Sequence, residues 1–230
     1  MSDHTNIVRI KAVNNALQEL RDSVVFVGGA TISLYADRPV LEVRPTDDVD
    51  VIIEIVNYTQ RQQLEEKLRK IGFTNDVESG IVCRFKIQGI IVDIMPTDDP
   101  SIGFSNKWYP AGFEHAVTYH FEEGGPVRIL TAPYFIATKL EAFKSRGKND
   151  GRSSHDFEDI VFVLENRKQV WEEFENCDQV IKEYLKSEFS TLLNIPYISE
   201  WIDCHVERGI IPPQTINIIE GLKRFCSVNL

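Results

Sequence analysis

The sequence predicts an α+β protein: a mixed β-sheet with flanking helices, followed by a mostly helical C-terminal part. Three observations carry this. Short apolar runs open at Val24, Val82, Ile90 and Val127 and are punctuated by glycine and polar turns, as strands are. Runs with apolar residues every three or four positions alternate with them. Past residue 131 the strand pattern stops and only helix-period runs remain, so we expect one domain over residues 1–131 and a second, helical one over 132–230.

Ile7, Ile10, Val13, Ala16, Leu17 and Leu20 share one side of a helix expected over residues 6–21. A strand begins at Val24 and ends at Gly28 and Gly29. Ala30 to Ala36 then turns as a short helix whose first amides face the mouth of the sheet, and Asp37, Arg38 and Pro39 close it. A second strand is entered through Arg44, Thr46, Asp48 and Asp50, all of one parity on an extended chain.

Thr59 or Asn57 is placed to cap a helix carrying Leu64, Leu68 and Ile71, stopped by Gly72. Val82 to Ile87 and Ile90 to Met95 flank Gln88 and Gly89, which reads as an antiparallel hairpin. Further strands fit Ala116 to Phe121 and Val127 to Leu130. Pro133 sits in the first turn of a helix with Phe135, Ile136, Leu140 and Phe143 on its apolar side. After a polar link from Gly147, Ser153 or Ser154 caps the next helix, and helical stretches come after it at 178–194, 196–208 and 213–226.

Composition narrows the function. With 230 residues, 43% hydrophobic, the chain can bury a real core, and a net charge of −10 argues against a surface that binds nucleic acid all over. Cys83, Cys177, Cys204 and Cys226 form no CxxC pair, no signal segment precedes them, and no apolar run approaches the ~18 residues of a membrane span. The expectation is a cytoplasmic protein with reduced thiols and no membrane contact.

Asp48 and Asp50 share a strand face, roughly 6 to 7 Å apart at Cα. Asp93 lies in a strand among Ile90, Ile91, Val92, Ile94 and Met95. Three carboxylates with no dedicated basic partner nearby in sequence repel one another unless a cation joins them, and hard oxygen ligands suit Mg2+ or Mn2+. Such ions activate an attacking hydroxyl and neutralise a triphosphate leaving group. The double glycine permits close backbone approach to an anion, although glycines at a strand end are also plain turn formers.

A glycine pair, then R-x-T-x-D-x-D, then an aspartate on a later strand resembles the polymerase-beta type of nucleotidyltransferase, and in particular the AbiEii/AbiGii toxin family that includes the MenT toxins. The likeness covers Val25 to Asp50, Asp93, and Thr138 to Leu164. Gly29 stands where the family usually has serine, so the backbone amides remain but no hydroxyl does. The resemblance implies a nucleotidyltransferase-like fold, Asp48, Asp50 and Asp93 as metal ligands and catalytic residues, and Lys139 as a further catalytic residue. It also implies nucleotide contacts from Gly28, Gly29, Arg44, Thr46, Lys139, Arg146 and Asp156, with Asp159 in the same run. Lysines also snorkel from helix flanks, and acids in a first helical turn complement its dipole.

The same resemblance implies a toxin that transfers a nucleotide from an NTP to an acceptor hydroxyl, a tRNA 3′ end among the candidates, releasing pyrophosphate and opposed by a cognate antitoxin. Two alternatives stand beside it: the same chemistry on a small molecule or protein hydroxyl, and a nucleotide- or partner-binding module without turnover. The histidines His115, His120 and His155 show no metal-ligand spacing. The run Lys144, Arg146, Lys148, Arg152 is a solvated face or an RNA-phosphate contact, and the loop around Trp108 and Tyr109 either stacks a base or packs the domain joint.

Overall fold

Strand β1 (Val24–Val27) buries all four of its side chains, which a strand does only when both faces of its sheet are covered. The structure, a computed structural model, describes residues 2–37, 43–55, 58–98, 106–148, 150–207 and 214–227. The chain divides into two units, one of Met1–Leu34 with Leu41–Thr131 and one of Tyr35–Val40 with Ala132–Leu230.

The first unit is built on a seven-stranded mixed sheet. Its strands are β1, β2 (Asp48–Ile53), β3 (Thr74–Asn75), β4 (Arg84–Ile87), β5 (Ile90–Pro96), β6 (Val117–Tyr119) and β7 (Val127–Ile129). They lie in the order β3-β4-β5-β2-β1-β7-β6. β2 runs antiparallel to β1 and parallel to β5, so the acidic strand sits at the centre. Helix α1 (Ser2–Ala16) packs on β2 and β5, and its Ile10 and Val13 are fully buried.

Two turns hold this half in register. Gln88 and Gly89 both have positive φ, +50° and +78°, the backbone of a two-residue hairpin loop whose twist matches its strands. Helix α2 (Tyr58–Lys70) ends at Gly72, φ +100°, where Phe73 N–H donates to Leu68 O and Gly72 N–H to Arg69 O. That pair of bonds satisfies two terminal carbonyls and seats Phe73 in the core.

The second unit is helical: α4 (Ala132–Arg146), α5 (His155–Asn166), α6 (Val170–Asn176), α7 (Gln179–Leu193), α8 (Ile198–Asp203) and α9 (Gln214–Cys226). α4 buries ten of its fifteen residues because α5, α6 and α7 each pack on it, and only its last turn is exposed. Phe174, Phe189 and Phe225 meet with centroids 5.4 to 6.1 Å apart, and Phe143, Phe157 and Trp201 form a second cluster. Residues 35–37 join this unit through real bonds: Tyr35 stacks on Phe135, Arg167 donates to Tyr35 O, and Asp37 N–H donates to Asn166 O.

The differences from expectation have local causes. The first helix stops at Ala16 and gives way to a 3-10 turn over Gln18–Ser23, because Gln18 takes positive φ to swing the chain into β1. Gly29–Tyr35 is likewise 3-10. Thr59 lies inside α2 and is not its cap, while Asn57 lies outside the described residues. Short α3 (Tyr109–Glu114), α6 and the two-residue β3 were not foreseen, being too brief for a periodic signal. The stretch expected at 196–208 shrinks to Ile198–Asp203. Ser154 is the cap of α5, accepting from Phe157 N–H. All four cysteines are free, and no helix among the described residues is long and apolar enough to cross a membrane.

Candidate active site

Register alone assembles the acidic residues. Parallel pairing of β2 with β5 sets Asp50 beside Asp93, and antiparallel pairing of β1 with β2 sets Val27 beside Asp50, so Gly28 comes next at its flank. Asp48, Asp50 and Asp93 each offer a carboxylate oxygen within 4.8 Å of the others. At such spacing each pair of unit charges repels by about 0.9 kcal/mol even at the dielectric constant of water. Asp93 is buried, and the other two are half-buried.

Gly28 is required by that crowding. Its φ is +73°, and a Cβ there would lie 2.0 Å from Asp50 Oδ2. The missing side chain leaves the space that the Asp50 carboxylate fills. This cradle, with its all-oxygen donor set of three carboxylates, fits a hard divalent cation such as Mg2+ or Mn2+.

The expectation of no dedicated basic partner is corrected by Arg84. Its Nε donates to Asp93 Oδ1 at 2.8 Å and one terminal nitrogen to Asp93 Oδ2 at 2.7 Å, and that same nitrogen reaches Asp48 Oδ2 at 3.2 Å. Hydrogen bonding to Asp93 holds the guanidinium above its ordinary pKa, so it stays charged. A sequence signal existed: with Gln88 and Gly89 as the two-residue loop, counting back from Ile87 and forward from Ile90 puts Arg84 opposite Asp93.

Arg44 and Thr46 do not continue the strand, since residues 43–47 are irregular and β2 begins at Asp48. α1 fixes them instead. Asn6 Nδ2 donates to Arg44 O, Thr46 N–H donates to Asn6 Oδ1, and Arg9 donates to Thr46 O. The Thr46 hydroxyl lies 3.0 Å from Asp48 O, so this strap sets where β2 starts. Asn6 and Arg9 were missed because their partners are about forty residues away. Gly28 O accepts from the Thr31 hydroxyl at 2.9 Å, which braces the turn into the Gly29–Tyr35 segment.

In the second unit Lys139 and Arg146 converge on Asp156. Lys139 Nζ lies 2.5 Å from Asp159 and 3.3 Å from Asp156, and Arg146 forks onto Asp156 at 2.7 and 2.8 Å. Lys139 is buried, whereas 60% of the Arg146 side chain is exposed. Burial alone would raise the Asp156 carboxyl, but hydrogen bonding from Arg146 and the Lys139 charge outweigh it and hold it below the ordinary carboxylate range.

A lowered folded pKa stabilises the fold in full above the unfolded value and less as pH falls through the folded one. We therefore expect Asp156→Asn to cost about 3 kcal/mol at neutral pH, because a buried ammonium loses a partner, Asp159 keeping the figure at the low end. The gap from the parent should close as both are titrated to strong acid, read by thermal melts. A gap that stays constant with pH would contradict the pairing.

Lys144 is paired with Glu141 and Glu188, and Arg152 with Asp150 and Glu200, so most of the basic run is engaged by acids. Trp108 and Tyr109 are buried in the first unit and present no free stacking face. Among the described residues His115, His120 and His155 join no metal-ligand group.

The family "Nucleotidyl transferase AbiEii toxin, Type IV TA system" matches residues 12–199, so the chain belongs to the AbiEii family of nucleotidyltransferase toxins. It is thereby an enzyme of the nucleotidyltransferase class, in a family of toxins that antitoxins oppose, and the reading as a binding module without turnover falls. Among solved structures it is similar to the antibiotic-resistance factor ANT(2'')-Ia at 17% identity, over 83% of this chain and 96% of that one, with a TM-score of 0.46. A comparison with curated protein sequences returns no match.

Proposed function

We propose that Asp48, Asp50 and Asp93 bind Mg2+ or Mn2+ and that the protein transfers a nucleotide from an NTP to an acceptor hydroxyl, a tRNA 3′ end first among the candidates, with release of pyrophosphate. The observation that carries this is the meeting of three carboxylates within 4.8 Å beside a glycine whose Cβ would displace one of them. Bound divalent metal would supply Lewis-acid stabilisation of the phosphates and a lowered pKa for the attacking hydroxyl.

The chain's own residues do the rest. Asp48 and Asp50 hold the cation, and Asp93 completes the set and helps take the acceptor proton. The Gly28 and Gly29 backbone approaches the phosphates, with Arg44 and Thr46 assigned to the nucleotide. Residues 1–131 thus carry the acidic cluster, and residues 132–230 contribute Lys139, Arg146 and Asp156 to nucleotide binding. Arg146 is the most accessible of these three, with 60% of its side chain exposed while it holds Asp156.

A second reading, transfer to a small molecule or a protein hydroxyl, is favoured by the net charge of −10 and by the pairing of the basic run with acids. One experiment separates them. The protein is incubated with each alpha-labelled NTP and Mg2+ or Mn2+ in the presence of tRNA, protein or metabolite pools. Label in tRNA with matching pyrophosphate, abolished by chelation, is the expected result. Label in another pool moves the acceptor, and absence of pyrophosphate with every pool overturns the reaction.

A further inference from the structure

The proposed chemistry gives Arg84 no part, yet its guanidinium lies on the carboxylates that this chemistry needs. Both oxygens of Asp93 accept from one planar fork, at 2.8 and 2.7 Å, and a third contact bridges to Asp48 at 3.2 Å. That is the strong, directional form of an arginine–carboxylate pair. Arginine does not lose its proton in proteins, so this charge leaves the cluster only if the side chain moves. Its long stem allows that without disturbing β4, and the side chain is still 19% exposed.

We propose that Arg84 is a positioning residue that sets the metal affinity of the acidic cluster, serving as its counter-ion until the guanidinium releases Asp48 and shares or releases Asp93. The proposal rests on the reading of Asp48, Asp50 and Asp93 as metal ligands. Arg84 sets one positive charge against three negative ones, which lets the strands stay paired without metal. The same charge repels a divalent cation at contact range, so affinity is lowered in exchange for a stable metal-free site.

The test is Mn2+ binding to the full chain at pH 8, monitored by electron paramagnetic resonance of free Mn2+, for the parent, Arg84→Gln and Arg84→Lys. Arg84→Gln keeps much of the length and removes the charge. It is expected to bind Mn2+ at least about tenfold more tightly, since a single like charge at contact distance costs that much even when water screens it. Arg84→Lys, which keeps the charge and loses the fork, should fall between the two. Melting temperature gives an independent readout: the parent should rise modestly from chelator to Mn2+, whereas Arg84→Gln should melt earlier in chelator and gain more from Mn2+.

Affinity of Arg84→Gln equal to or weaker than the parent's overturns the proposal and leaves the metal reading intact. If no protein binds Mn2+ even at millimolar concentration, the metal reading falls, and this inference with it. Should Arg84→Gln fail to fold under any condition, Arg84→Lys decides: tighter binding than the parent supports the role, and equal or weaker binding refutes it.

Discussion

Asp50→Asn is expected to lower the rate of nucleotide transfer by at least a thousandfold, about 4 kcal/mol of transition-state stabilisation, while leaving the melting temperature unchanged or higher. Asn has nearly the same shape, so the close fit against Gly28 survives. The loss is one charge of three crowded carboxylates. A neutral amide oxygen is a poor ligand for a hard divalent cation, so the catalytic defect stems from chemistry rather than unfolding. The same removal relieves repulsion in the metal-free protein, which is why stability should not fall. Single-turnover transfer with alpha-labelled NTP, beside a thermal melt, checks both halves. Activity within threefold of the parent would remove Asp50 from the site.

Gly28→Ala should impair both folding and turnover. The backbone there has φ +73°, which costs an L residue about 1–2 kcal/mol, and the new Cβ would lie 2.0 Å from Asp50 Oδ2 and 2.9 Å from its Cγ. Either the carboxylate swings away or β1 and β2 separate. With displacement of a reacting group worth about a hundredfold per ångström, we expect a fall of roughly that size in turnover. The stability cost should exceed the backbone contribution alone and shift the melting temperature by several degrees.

A double-mutant cycle isolates the contact. In an Asp50→Ala background the carboxylate is gone and only the Cβ, 3.1 Å from the new methyl, remains, so Gly28→Ala should there cost much less than in the parent, little beyond its backbone strain. Equal costs in both backgrounds would show that the glycine serves the turn and not the carboxylate.

Much of this site was legible in the chain because its signals are local. Asp48 and Asp50 share a face through the two-residue period of a strand, and Asp93 stands out as a charge inside an apolar run. Even Arg84 was within reach, since a two-residue hairpin loop fixes every pair above it. Thr46 shows the limit. Its parity suggested a strand position beside Asp48, but bonds from Asn6 and Arg9 on α1 hold it in irregular chain. Lys139 and Arg146 show another: seven residues apart, they share a helix side as expected, yet the acids they pair with come from a different helix.

The sequence by itself determined the strand and helix periods, the turn at Gln88 and Gly89, the glycine at the end of β1, and the three acids. Tertiary structure decided which strands become neighbours, and hence that Asp50 lies beside Asp93 with Arg84 beyond it. It also decided that residues 35–37 join the helical unit through Phe135, Asn166 and Arg167. The division has a physical origin. Periodicity and turn chemistry act over a few residues and are written locally, whereas strand order and charge pairing depend on burial and electrostatics between segments whose separation along the chain carries no mark of their meeting.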